Sequence, residues 1–290
     1  MRDARVRQLQ RETRHLADAS KGARRRLDRS CERYWLNLGV SGVFHTEESS
    51  YDEFMGRYSV RLAPLFADFA GVYEGQRVLD VGAGTGALTR ELLDRGATVV
   101  AVEPSPEFTR ALRSRFPQLE VHEAAAEELP FTADAFDLAL AQLVVAFMED
   151  ASVAMRELGR VARRVAICMW GVEEMEMFAA IGRTARALGA SSVEQAARRY
   201  RTPRELHELL VGAGLAEVES CDLDVTASYV DFAEFWQALS LQVGPAGAWL
   251  HGLDDDRRAL AHEELYRQLG SPAGPFELRG RAYAACASRE

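Results

Sequence analysis

Lysine is almost missing from this 290-residue chain: Lys21 is the only one, so arginine carries nearly all of the positive charge. A cluster of arginines is therefore weak evidence for a nucleic-acid arm. Cysteine is sparse too. Cys31, Cys168, Cys221 and Cys286 lie far apart with no CxxC pair, which argues against a disulfide framework and against a zinc site. The six histidines show neither HxxxH nor HExxH spacing, so no metal is expected. No apolar run approaches the ~20 residues that a membrane-spanning helix needs. The Arg-rich N-terminus lacks the apolar segment of a secretory signal, and the expectation is a cytoplasmic protein. No internal repeat or low-complexity tract appears.

What is present is an acidic, soluble composition, 48% apolar and 27% charged with a net charge of -9. Residues 1–30 hold ten Lys/Arg against four Asp/Glu, an excess of six, so the remaining 260 residues carry -15. An acidic body disfavours a nucleic-acid partner. The basic segment reads as a solvated helix of alternating charge. Residues 1–50 are expected to be a basic extension and linker, because NLGVSGVFHTEESS at 37–50 is rich in turn formers. Residues 51–175 are expected to form the core. Residues 176–290 are expected to add cap helices and the last two strands of the same sheet.

From Tyr51, Phe54, Tyr58, Leu62 and Phe66 recur at helical spacing, with Pro64 expected to interrupt the helix after its first turns. The central third alternates apolar strand runs, GQRVLDV, ATVVAVE, LEVHEA, FDLALAQLV and RVAICMW, with amphipathic helices such as GALTRELLDRG and SPEFTRALRSRF. Continuous apolar strands separated by such helices imply a parallel sheet covered on both faces. Two later strand patterns, AEVESCDLDVTASYV and FELRGRAYAACAS, are joined by a long helical segment. The expected fold is a doubly wound α/β, a mostly parallel, Rossmann-like sheet of seven strands with a helical cap and an antiparallel final strand.

The first strand runs into three glycines in five positions, VLDVGAGTGALT at 78–89. A glycine-rich turn there lies where open parallel sheets bind ligands. Gly82, Gly84 and Gly86 allow positive φ and close backbone approach. GAGTGA can be forced into the dinucleotide fingerprint, with Ala87 in its last place, and a tight turn without a ligand is also open. Asp80 shifts the balance, since a carboxylate beside the loop suits an ammonium better than a diphosphate. Glu103, seventeen residues after Gly86, closes the second strand and suits the ribose hydroxyls of either NAD or S-adenosylmethionine.

With these motifs in order, VLDVGAGTG, VVAVEPS, AAAEELPF, FDLALAQLVVAFMED and RELGRVARRVAICMWG, the chain resembles the class I S-adenosylmethionine-dependent methyltransferases. The likeness is greatest to the branch with the ubiquinone/menaquinone C-methyltransferases. The resemblance implies that Asp80, Gly82, Gly84 and Gly86 surround the methionine part of S-adenosylmethionine and that Glu103 binds its ribose. It places the adenine by Ala125, Ala126 and Glu127, and brings Gln142 toward the methionine end. Arg57 and Tyr58 are candidates to meet the cofactor carboxylate or to close the site, with core packing as the plain alternative for Tyr58. Two departures stand out. Ala125 replaces the Asp of many relatives, which removes a hydrogen bond worth about 1 kcal/mol, and the usual Pro-Gly-Gly turn before the fifth strand is absent.

Methyl transfer from a sulfonium is an in-line displacement that needs alignment and a water-poor pocket rather than a metal. No side chain stands out as a general base; His251 reads as a surface residue. The Asn/Asp-Pro-Pro-aromatic motif of some amino-group methyltransferases is replaced by AQLV. The expected acceptor is a small molecule entering past Trp170, Phe178, Trp236 and Trp249, each of which can equally be core. The competing functions are an NAD-dependent oxidoreductase on the same fold and a catalytically silent cofactor-binding protein.

Overall fold

The computed structural model describes residues 51–190, 199–241 and 244–289, so the expected extension and linker at 1–50 lie outside the described residues. A helix α1 (Arg57–Ala70) leads into β1 (Arg77–Val81), α2 (Ala87–Asp94), β2 (Thr98–Val102), α3 (Pro106–Arg115) and β3 (Glu120–His122). Then follow β4 (Phe136–Gln142), α4 (Ala151–Val161), β5 (Ala162–Trp170), α5 (Glu176–Ala187), α6 (Pro203–Gly212) and β6 (Ala216–Tyr229). Three helices, α7 (Phe232–Leu239), α8 (Gly244–His251) and α9 (Asp255–Gln268), precede β7 (Phe276–Ser288). The seven strands form one sheet in the order β3-β2-β1-β4-β5-β7-β6. The pairings among β1 to β5 are parallel, and β7 runs antiparallel to both of its neighbours. This is a doubly wound, Rossmann-like α/β fold.

Side chains alternate between the two faces because successive residues of a strand point oppositely. Val78, Leu138 and Leu140 join one apolar core with α1 and α5, while Leu79, Ala139 and Ala141 join a second core with α4 and α6. Local signals fix the helix ends. Ser105 accepts the Phe108 N–H ahead of Pro106, Thr202 and Glu205 form a reciprocal capping box, and Gly71 ends α1 in the left-handed region.

Two local features differ from the sequence reading. Pro64 does not interrupt α1, which runs unbroken from Arg57 to Ala70. The carbonyl that loses its partner belongs to Val60, which is 61% exposed, so water can satisfy it at little cost. Ahead of α1 the chain forms a π-helical turn, Asp52–Gly56. Periodicity at 3.6 does not announce such a turn.

The β6–β7 hairpin overhangs the rest of the sheet. β5 ends opposite Ala282, whereas β6 continues pairing along β7 to Phe276. The segment 230–275 therefore leaves from the carboxyl edge, and its Phe232, Phe235, Leu239, Leu250, Ala261 and Leu265 pack in the core that holds Tyr58 and Trp170. Among the described residues no helix is long and apolar enough to cross a membrane.

Candidate active site

The glycine loop is held from below by the neighbouring strand. The amides of Gly82 and Ala83 both donate to the Val102 carbonyl, at 2.7 and 3.1 Å, and the Gly86 amide donates to Ala83 at 2.9 Å. All three glycines have positive φ, 69°, 55° and 89° for Gly82, Gly84 and Gly86. Their surroundings differ. A Cβ on Gly82 would lie 2.8 Å from Val144 Cγ1, and one on Gly86 would lie 2.5 Å from Phe116 Cε2. A Cβ on Gly84 would meet nothing nearer than a backbone oxygen at 4.0 Å. Packing thus accounts for two of the glycines. The third faces open space.

Two buried carboxylates flank the loop. Asp80, in β1, is 1% exposed and accepts the Thr89 hydroxyl from the first turns of α2 at 2.5 Å. Burial pushes its carboxyl up to about 7, the Thr89 hydroxyl pulling against this and the nearby Glu103 charge adding to it. Glu103, just past β2, is 6% exposed. Its Oε2 accepts the Gly84 amide and its Oε1 accepts the Ser105 amide, both at 2.9 Å. Burial raises its carboxyl as well, and those two N–H donors oppose the rise. Gly84 and Glu103, paired in the sequence reading only by their common ligand, are bonded directly to each other.

The remaining candidates fall into two groups. Gln142 ends β4 beside the loop, followed by Leu143 with φ 64°, an uncommon conformation for a bulky residue and one that recurs at functional sites. Its Nε2 donates to the Ser59 carbonyl at 3.3 Å, while its Oε1 is buried with no partner, as is Trp170 Nε1 at the end of β5. Such orphans are few in folded proteins. Ala125, Ala126 and Glu127 follow β3. Ala126 is buried in the core with Val81 and Val102, and Glu127 Oε1 accepts the Asp150 amide at 3.1 Å.

Arg57 and Tyr58 point toward the β6–β7 overhang. Arg57 donates to the Ser228 carbonyl at 3.0 Å and pairs with Glu234 at 3.1 Å, its guanidinium lying 4.4 Å from the Tyr229 ring centre. Tyr58, fully buried, stacks edge-on against Trp170, and its hydroxyl lies 3.3 Å from that of Tyr229. Burial and the Tyr229 hydroxyl hold Tyr58 far above the ordinary tyrosine range, so it stays protonated. His251 is exposed at the end of α8. Among the described residues no group of three or more His, Cys, Asp or Glu is placed to hold a metal.

Sequence reasoning misses several partners. Thr85, 4% exposed in the loop, donates its hydroxyl to Asp52 at 2.7 Å. Arg115, at the end of α3, pairs with Asp52 at 2.6 Å and donates to the Thr85 carbonyl at 2.9 Å. Thr89 is visible in the sequence as a threonine one turn into the helix, but its pairing with Asp80 is not. Nothing in the sequence marks Asp52, Tyr229 or Glu234.

A parallel sheet whose first strand ends in this loop, with an acid closing the second strand and bonded to the loop, defines a Rossmann-like domain. Residues 79–169 match the family described as a methyltransferase domain. The chain is 35% identical over 119 residues to an uncharacterized protein of Mycobacterium tuberculosis, covering 39% of this chain and 43% of that one. It is 42% identical over 88 residues to an uncharacterized methyltransferase of the same organism, covering 30% and 36%. The match thus spans less than half the length of these curated relatives. The solved YcgJ protein of Bacillus subtilis shares the fold, with a TM-score of 0.52 and 17% identity over 80% of this chain and 99% of that one.

Proposed function

We propose that this protein transfers the methyl group of S-adenosylmethionine to a small-molecule acceptor held between the carboxyl edge of the sheet and the helices of 232–268. The observation that carries the reading is Gly84, a positive-φ glycine facing open space while its amide is fixed to Glu103. Only a residue without a side chain leaves that space for a ligand lying against the backbone. Each Glu103 oxygen accepts one N–H and keeps further acceptor capacity, which suits the two hydroxyls of a ribose. Asp80 with Gly82, Gly84 and Gly86 would surround the methionine portion, and Ala125, Ala126 and Glu127 the adenine. The orphaned Gln142 Oε1 would serve the methionine end. With its guanidinium already held by Glu234 and Ser228, Arg57 would close the site rather than meet the cofactor carboxylate, and Tyr58 would brace it.

When bound, the cofactor supplies an electrophilic methyl on a sulfonium. The protein's own contribution is alignment and exclusion of water. The glycine loop fixes one end of the line and the overhang with its helices covers the other. Tyr58 stays protonated, its hydroxyl sharing a hydrogen bond with that of Tyr229. Residues 51–175 form the cofactor core in this reading and 176–290 the acceptor side. The described cysteines, Cys168, Cys221 and Cys286, are free thiols, which suits a cytoplasmic setting. The acidic body suits a metabolite better than nucleic acid.

Calorimetry tests the cofactor: S-adenosylhomocysteine is expected to bind with micromolar affinity and NADH to give no heat. The reverse result would establish the oxidoreductase alternative. Radiolabelled methyl transferred into a metabolite extract tests turnover and separates an enzyme from a silent binding protein.

A further inference from the structure

The segment leading into the start of α1 touches both the glycine loop and the β6–α7 joint. At one end Asp52 grips the glycine loop: its Oδ1 accepts the Thr85 hydroxyl at 2.7 Å, and its Oδ2 pairs with Arg115, which itself donates to the Thr85 carbonyl. The Tyr51 ring packs edge-on against Phe108 of α3 at 6.0 Å. At the other end Arg57 grips the joint where β6 passes into α7. It donates to Ser228 on the near side of that joint and pairs with Glu234 on the far side. Glu234 in turn accepts the Val230 amide within the joint at 2.7 Å.

The connection between the two grips is stiff. Residues 51–70 are helical throughout, with the π-helical turn Asp52–Gly56 inserted between the grips. Such turns are uncommon and concentrate at functional sites. Gly56 belongs to the device, since a Cβ there would lie 3.3 Å from Asp52 Oδ1. Within the turn Arg57 Nε also donates to the Glu53 carbonyl at 3.1 Å. A change at Thr85 therefore has a short, hydrogen-bonded route to Glu234. Ligand binding that favours one arrangement of the loop could reach the joint by that route.

We propose that residues 51–57 are a strap that makes the 229–239 joint respond to occupancy of the glycine loop. Asp52 and Arg57 are its two positioning residues. The inference rests on the cofactor reading above and deepens it: the acceptor side is ordered by the cofactor before the acceptor arrives. Neither residue touches the reacting atoms. Their effect passes through Thr85 on one side and through Ser228, Tyr229 and Glu234 on the other.

Hydrogen exchange of the full chain, with and without S-adenosylhomocysteine, tests this. In the native protein the ligand is expected to slow exchange at 82–86 and, by roughly fivefold or more, at 230–239. Arg57→Gln is expected to keep the slowing at 82–86 and to lose it at 230–239. Asp52→Asn, acting from the opposite end, is expected to lose the same 230–239 response. If Arg57→Gln fails to fold, Glu234→Gln removes the same ion pair from the α7 side, where Asp231 still caps the helix. Slowing at 230–239 that persists in the variants, or that is missing from the native protein while 82–86 responds, overturns the strap and leaves the cofactor reading standing. No slowing at 82–86 in the native protein overturns the cofactor reading with it.

Discussion

The stretch from Arg77 to Trp170 and the stretch from Gly171 to Ser288 share apolar cores but differ in the polar groups they bury. Around the glycine loop polar groups are buried and paired: Asp80 with Thr89, Glu103 with Gly84 and Ser105, Thr85 with Asp52. In the later stretch buried polar groups are fewer, Thr184 and the hydroxyl of Tyr229 among them. Rings dominate there instead. Tyr229 lies 5.2 Å from both Phe235 and Phe276, Phe232 lies 5.1 Å from Tyr266, and Trp236 lies 4.8 Å from His262. Directional bonds tolerate one geometry, whereas apolar packing accepts many shapes of similar volume. In the proposed reading the first kind of construction would hold the cofactor and the second the acceptor.

The sharpest way to break that contrast is inside the loop. Gly84→Val is expected to abolish S-adenosylhomocysteine binding in calorimetry, because its side chain would fill the open space, at a backbone cost of about 1–2 kcal/mol for a side chain at φ 55°. Unaltered affinity would remove the proposed site. Gly86→Ala should do the opposite in kind. Its Cβ would press on Phe116 and Leu112, so a loss of about 1–3 kcal/mol of stability in urea unfolding is expected.

In the ring-packed region, Phe235 is fully buried. Phe235→Ala should cost about 3–5 kcal/mol of stability, with ligand affinity of the folded fraction falling only by the smaller coupling that the strap carries. A comparable loss of affinity would mean that the two regions are not separable.

A smaller effect is expected from pH. Burial raises the Asp80 carboxyl to about 7, so below that value a proton must leave before a carboxylate can face an ammonium. Ligand affinity should therefore climb between about pH 6 and about pH 8, and Asp80→Asn should flatten the climb. The same shift has a stability sign. The unfolded carboxyl ionises first, so the free protein should lose stability as pH rises from about 4 toward about 7. Smallest of all, Arg281→Gln breaks exposed pairs with Asp222 and Asp224 on the outer face of the β6–β7 hairpin. Both melting and binding should stay where they are, as expected of screened surface pairs.

Much of the stretch from Arg77 to Trp170 is legible in the sequence. Apolar runs such as VLDV and VVAV mark strands buried on both faces, and Gly82, Gly84, Gly86 and Glu103 stand at spacings that point to a ligand. The division of labour among the three glycines is not legible, because it depends on Val144 and Phe116 arriving from beyond β4 and α3. In the sequence Asp80 is a carboxylate suited to an ammonium; its Thr89 partner and its raised pKa come from burial, which no spacing reveals. Arg57 reads toward the cofactor, yet its partners Ser228 and Glu234 lie 171 and 177 residues away.

Local chemistry is enough to set the order of strands and helices, the capping of the helices and the glycine-bearing turn after β1. Each of these rests on interactions between residues a few positions apart. Which glycine faces open space, which acids are buried beside it, and the π-helical turn that joins the loop to the β6–α7 joint emerge only in the packed fold. Those facts arise where elements distant in sequence meet, and folding settles them by fitting side chains and satisfying buried polar groups.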